Sequence, residues 1–126
     1  MKIPELKTAP SSWLQPIKGV CFDIDDTFSS DGKITAEAFA SLWSLKSAGF
    51  FCVPVTGRPA GWCDHIARFW PVDAVVGENG AFTMYMKDKK LHRIETLPQA
   101  QANEARAKLK DLSSKILNKF PEAKFA

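Results

Sequence analysis

The chain has 126 residues, 45% of them hydrophobic and 25% charged, with a formal net charge of +3. That suffices for one small domain with its own core, in the balance of an ordinary soluble globular protein. No apolar run is long enough to span a bilayer, and Met1-Lys2-Ile3-Pro4 lacks the apolar block of a secretory leader. The expectation is a cytoplasmic protein with no membrane partner.

The charge is unevenly placed. Residues 1–98 carry 11 Lys plus Arg against 11 Asp plus Glu, and residues 99–126 carry 6 against 3. The excess falls on a segment with helical spacing, where lysines read as a solvated face, so no nucleic-acid partner is expected. Cys21, Cys52 and Cys63 lie in or beside apolar segments and read as buried reduced thiols.

Residues 1–16, with Pro4, Pro10 and Pro16, read as a lead-in pinned to the body by Trp13 and Leu14. Ile17–Phe22 reads as a strand, followed by a loop with a turn at Asp31-Gly32. Thr35 is placed to cap a helix, with Glu37 in its first turn, Lys46 in its last and Gly49 at its stop. Phe50–Val55 reads as a buried parallel strand. Pro59 opens the next helix, whose apolar face is Trp62, Ile66, Phe69 and Trp70. The large aromatics Trp43, Trp62, Phe69 and Trp70 read as core.

Asp73–Val76 reads as a third strand, and Gly77-Glu78-Asn79-Gly80 as a turn. Ala81–Met86 and Leu91–Thr96 flank Lys87-Asp88-Lys89-Lys90 as a hairpin. Ala102, Ala105, Leu109, Leu112, Ile116 and Phe120 keep helical spacing over a long amphipathic helix, which Pro121 breaks. The order predicts an α/β fold of two successive βαβ units, a three-layer parallel sheet with right-handed crossovers.

In such a sheet the carboxyl ends of the strands share one edge, where ligands bind. The first strand ends in Asp23, Asp25 and Asp26, the second in Thr56, Gly57 and Arg58, the third in Gly77, Glu78, Asn79 and Gly80. Like charges as crowded as Asp23, Asp25 and Asp26 need a cation among them, and paired carboxylates are hard oxygen ligands suited to Mg²⁺. The helix start after Gly57 offers free N–H groups to an anion. Together these fit phosphoryl transfer to water or to a carboxylate.

Blander readings stand beside this one. The acids alone fit a solvated turn or a helix cap. An EF-hand loop counted from Asp23 fails, because Phe28 and Ile34 stand where it needs Gly and Glu. Thr56-Gly57-Arg58-Pro59 also fits an ordinary capped turn, Arg58 a surface salt bridge, and Asn79-Gly80 a tight turn. His65 and His92 read as packing or solvent-exposed residues.

Asp23-Ile24-Asp25-Asp26-Thr27 resembles the first signature, Asp-x-Asp-x-Thr, of the haloacid dehalogenase superfamily of phosphohydrolases. Val55-Thr56-Gly57-Arg58-Pro59 resembles the second signature of its branch with a large α/β cap, the Cof-like and sugar-phosphate phosphatase type. Asn79-Gly80-Ala81 before a hairpin is similar to the same branch. The resemblance covers roughly residues 17–96. It implies a Rossmann-like core over 17–98 and the start of a cap over 99–126, after the lead-in 1–16.

The resemblance further implies a Mg²⁺-dependent phosphatase acting on a small phosphorylated metabolite, a sugar phosphate by class. Asp23 would be the nucleophile, forming an aspartyl-phosphate, and Asp25 the proton shuttle. The Asp23 carboxylate and Asp25 backbone carbonyl would hold Mg²⁺. Thr56, Gly57 and Arg58 would bind phosphate, and Asn79 would line the substrate side. The family's later Lys and further metal-binding acids have no counterpart in these residues. The chain therefore reads as an N-terminal fragment, or alternatively as a catalytically incomplete domain serving binding or assembly. A bare helix face is expected to favour self-association.

Overall fold

The computed structural model describes residues 5–124. The chain divides into two compact units, Met1–Ile94 and Glu95–Ala126. The first holds all three strand ends singled out above.

The lead-in carries a short turn of helix at Leu6–Thr8 and a four-residue helix α1, Ser11–Leu14. Trp13 is exposed, so it does not pin this segment as expected. Strand β1, Gly19–Phe22, pairs in parallel with β2, Phe51–Pro54, in the register Val20 to Cys52 and Phe22 to Pro54. The crossover between them is helix α2, Ala36–Ser47. Its signals act as read: the Thr35 hydroxyl accepts from the Ala38 N–H at 3.2 Å, Glu37 and Lys46 stand at the matching ends, and Gly49 takes a left-handed φ of +86°.

The second crossover is helix α3, Ala60–Phe69, with Pro59 at its N-cap and Trp70 at its C-cap. It leads to the three-residue strand β3, Val75–Gly77. A single parallel bridge, Val55 to Val76, joins β2 to β3. β3 then pairs antiparallel with β4, Phe82–Lys87, and β5, Lys90–Glu95, completes the hairpin. The hairpin turns on Asp88 and Lys89, both at positive φ, as a two-residue turn matched to strand twist requires.

β1, β2 and β3 follow one another in one direction, so right-handed crossovers put α2 and α3 on the same face of the sheet. The opposite face is not layered by the described residues. Accordingly β2 and the two residues after it alternate: Cys52, Pro54 and Thr56 are buried, whereas Phe51 and Val55 are exposed. The expected fully buried strand is half-covered. Cys21, on β1, is likewise exposed, and only Cys52 and Cys63 are buried.

The core is Ile24 with Cys63, Ile66 and Ala67 of α3 and Val75, Phe82 and Met84 of β3 and β4, with Trp70 packed against it. α3 therefore buries Cys63, Ile66 and Ala67, not the aromatic face expected from its spacing. Trp62 and Phe69 are exposed, and so is Trp43 of α2. Small side chains admit close approach to the fully buried Phe82, and the bulky rings fall to the margins.

The second unit contains helix α4, Gln99–Lys119. No residue of it is buried. Glu104–Lys108 and Asp111–Lys115 form i,i+4 ion pairs at 2.7 and 2.6 Å. Leu109, Leu112 and Ile116 form an exposed apolar row. Among the described residues no helix is long and apolar enough to cross a membrane.

Candidate active site

After β1 the backbone does not continue straight. Ile24–Phe28 forms one wide turn, closed by the Ser29 N–H donating to the Ile24 carbonyl at 2.8 Å. The Ser29 hydroxyl, buried, donates to the same carbonyl at 2.9 Å and accepts from the Asp26 N–H at 3.3 Å. Asp26 takes a left-handed φ of 56°, which a short polar side chain tolerates. Ile24 plugs into the core from one side of this turn, and the carboxylates of Asp23, Asp25 and Asp26 are left on its exposed residues. Phe22 and Phe28 bracket the turn with ring centroids 5.0 Å apart, and Phe28 lies 5.7 Å from Trp70, whose ring meets Phe39 of α2 edge-on. This row of aromatics anchors the acidic turn to both crossover helices.

The three strand ends are tied to one another by main-chain hydrogen bonds. Val55 N–H donates to Phe22 carbonyl at 2.8 Å, Thr56 N–H to Val76 carbonyl at 2.9 Å, Glu78 N–H to Arg58 carbonyl at 3.2 Å and Asn79 N–H to Thr56 carbonyl at 3.1 Å. Thr56 is 2% exposed, and its Oγ1 accepts from the Arg58 N–H at 3.2 Å. That contact uses a lone pair and leaves the hydroxyl proton to donate. Gly57 lies so near Asn79 that a Cβ on it would meet Asn79 Oδ1 at 3.3 Å. Among the described residues the Gly57 N–H has no protein partner, and it lies in the turn three residues before α3 begins at Ala60.

Arg58 closes the group. Its Nε donates to Asp25 Oδ2 at 3.1 Å and its Nη2 to Asp25 Oδ1 at 2.5 Å. The guanidinium beside Asp25 lowers that carboxyl below its ordinary range, and Asp25 in turn raises Arg58. The bidentate pair realises the salt-bridge reading of Arg58. Asp23 makes no side-chain hydrogen bond or ion pair among the described residues. Asp25, Thr56, Gly57, Arg58 and Asn79 are thus joined by direct contacts, and Asp23 stands at the start of the same turn.

Two participants were not legible in the motifs. Ser29 fixes the turn from beneath, and its only sequence signal is a hydroxyl three residues after an Asp. Trp62 carries the Arg58 guanidinium 4.5 Å above its ring. A cavity of about 200 Å³ opens beside them, bounded by Ile24, Ile34, Arg58, Trp62, Ile66 and Trp70. The histidines have separate explanations: His65 stacks on Phe69 at 5.0 Å and His92 on Tyr85 at 5.2 Å.

A sequence model of haloacid dehalogenase-like hydrolases matches residues 20–119, more than three quarters of the chain. This chain belongs to the haloacid dehalogenase-like hydrolases. The haloacid dehalogenase-like core is similar to a solved phosphatase of that superfamily, BT1666 from Bacteroides thetaiotaomicron: 24% identity over 77% of this chain and 36% of that one, with a TM-score of 0.54, a likeness of fold. It is also similar to a hypothetical protein from Geobacillus kaustophilus, with 19% identity over 73% of this chain and 49% of that one and a TM-score of 0.47. The chain spans between about a third and a half of the length of these solved relatives. No curated protein matches it.

The donor chemistry can be set against Mg²⁺. Among the described residues no three His, Cys, Asp or Glu side chains cluster as a complete metal cage. Mg²⁺ keeps several waters and is commonly held by one or two carboxylates plus substrate phosphate. The Asp23 carboxylate, unpartnered among the described residues, and the Asp25 main-chain carbonyl two residues on would offer that partial, oxygen-only set.

Proposed function

We propose that this chain carries the nucleophile half of a Mg²⁺-dependent phosphatase acting on a small phosphorylated metabolite, a sugar phosphate by class. The observation that carries the reading is the convergence of the strand ends. Asp23, a carboxylate without a partner among the described residues, begins the turn whose next acid, Asp25, is held by Arg58 beside Thr56 and the Gly57 amide. The family membership and the phosphatase BT1666 of like fold support it.

In this reading the Asp23 carboxylate attacks phosphorus, and the bond from phosphorus to the leaving oxygen breaks. Asp25 gives that oxygen a proton. A water then attacks the aspartyl-phosphate, Asp25 takes the water's proton, and inorganic phosphate leaves with Asp23 restored. Thr56 donates its hydroxyl proton and Gly57 its N–H to phosphoryl oxygens. Asn79, on its left-handed backbone beside Gly57, lines the substrate side. The Asp23 carboxylate and the Asp25 main-chain carbonyl would hold Mg²⁺, which would supply charge neutralisation at the phosphate. The Arg58 pair keeps Asp25 ionised, the state that receives a proton from water. To donate one, Asp25 first frees one oxygen from that pair and takes up a solvent proton there, its other oxygen staying on Arg58. The residues from 99 onward are taken as the start of a cap.

The test is phosphate release from para-nitrophenyl phosphate with Mg²⁺, using the full-length protein. Asp23→Asn is expected to lower turnover by at least about 10³-fold, the scale of losing a covalent nucleophile. Undiminished turnover in that variant overturns the mechanism.

A further inference from the structure

Trp62 is a large side chain near the acidic turn whose place the core does not explain. It is 53% exposed, whereas its neighbours Cys63 and Ile66 are fully buried. It lies four residues after Arg58, and the Arg58 guanidinium sits 4.5 Å above its ring. The same guanidinium reaches Asp25 through two hydrogen bonds, one to each carboxylate oxygen. The Arg58 main chain is fixed as well: its N–H donates to Thr56 Oγ1, and its carbonyl accepts from Glu78 N–H and from the Cys63 thiol at 3.6 Å. Only the long side chain retains freedom, and the Asp25 carboxylate at its tip and the indole face beneath it limit that freedom together.

We propose that Trp62 is a positioning residue of this site: its indole is a shelf that holds the Arg58 guanidinium flat, and Arg58 in turn fixes the orientation of the Asp25 carboxylate. The proposal rests on the phosphatase reading only for the consequence in catalysis. The physical relay from ring to guanidinium to carboxylate stands on the geometry alone.

An Arg side chain has several rotatable bonds, and a bidentate pair requires one arrangement of them. A ring face at cation–π distance favours that arrangement roughly 2- to 5-fold at a partly exposed site. Arg58 and Trp62 also line the cavity between α3 and the acidic turn, together with Ser29 and Ile66.

The relay is tested first without turnover. Exchange of the Arg58 Nε–H with water, read by ¹⁵N NMR on the 126-residue chain, is expected to be slow. It should speed about 2- to 5-fold in Trp62→Leu and return most of the way to wild type in Trp62→Phe. Asp25→Asn, which weakens the pair directly, is expected to speed it at least as much. The melting temperature of Trp62→Leu should stay within about 2 °C of wild type, because the ring is not core. Unchanged Nε–H exchange in Trp62→Leu overturns the proposal, as does a Phe variant indistinguishable from the Leu variant. In full-length enzyme with para-nitrophenyl phosphate, Trp62→Leu should lower kcat about 2- to 5-fold with KM unchanged. A loss confined to KM overturns the positioning role. If Asp23→Asn retains full turnover the phosphatase reading fails, and the exchange experiment still judges the relay by itself.

Discussion

Replacing Thr56 by valine removes one hydroxyl and little else. Valine keeps the β-branch and nearly the same volume, so strand preference and packing are preserved. What disappears is the acceptor for the Arg58 N–H, a 3.2 Å bond to a side chain 2% exposed. A neutral hydrogen bond contributes about 0.5–1.5 kcal/mol net, and a stranded buried donor costs about 1–3 kcal/mol. The Arg58 N–H is only partly buried, which places Thr56→Val in the lower part of that span, about 1–2 kcal/mol. For a unit near a hundred residues this is a melting shift of roughly 4–16 °C. Urea unfolding followed by tryptophan fluorescence reads it, with the midpoint moving at constant slope. Thr56→Ser keeps the acceptor and should retain the turn, losing only the contacts of one methyl. A valine variant within about 0.5 kcal/mol of wild type refutes the claim that this hydroxyl holds the turn.

Two further outcomes follow from the packing. A Cβ at Gly77 would overlap the buried Phe82 ring and stand 2.7 Å from Cys63 Sγ. Gly77→Ala should therefore cost about 3 kcal/mol, the upper end of overpacking, and Phe82→Leu should recover part of that loss in a double-mutant cycle. Additive costs in that cycle contradict the overlap. With a chromogenic thiol reagent, Cys21 should react in the folded chain. Cys52 and Cys63, fully buried with their thiols pushed up by that burial, should react only on unfolding. Three fast thiols, or none, contradict the fold.

Much of this was legible because local chemistry decides it. The Thr35 cap, the Gly49 stop and the hairpin around Asp88-Lys89 stand within a residue or two of their expected places. The three strand ends meet as parallel topology requires. What was not legible depends on which neighbours arrive. The α3 spacing marks Trp62, Ile66, Phe69 and Trp70 as one apolar face, yet the residues α3 buries are Cys63, Ile66 and Ala67, with Trp70 packed at the edge of their cluster. Hydropathy weighs a ring by its size, whereas burial asks what lies opposite. For the same reason Cys21 and Phe51, apolar by type, are exposed on a sheet whose second face the described residues leave uncovered. Arg58 was a candidate for phosphate from its motif, and its partner Asp25 lies 33 residues away, beyond any local pattern.

That separation has a consequence for what holds the site together. Closing a loop of about 33 residues costs roughly 3 kcal/mol of chain entropy by itself. An ion pair as exposed as Arg58 and Asp25, with side chains 27% and 50% accessible, contributes about 0–1 kcal/mol. The pair is too weak to draw its own ends together. The β1–β2 ladder and the aromatic row from Phe22 to Phe39 bring those ends into reach, and the pair then trims the last angle. Precision at the acidic turn is thus inherited from the sheet, and a substitution far down β1 or β2 can loosen the site without touching it.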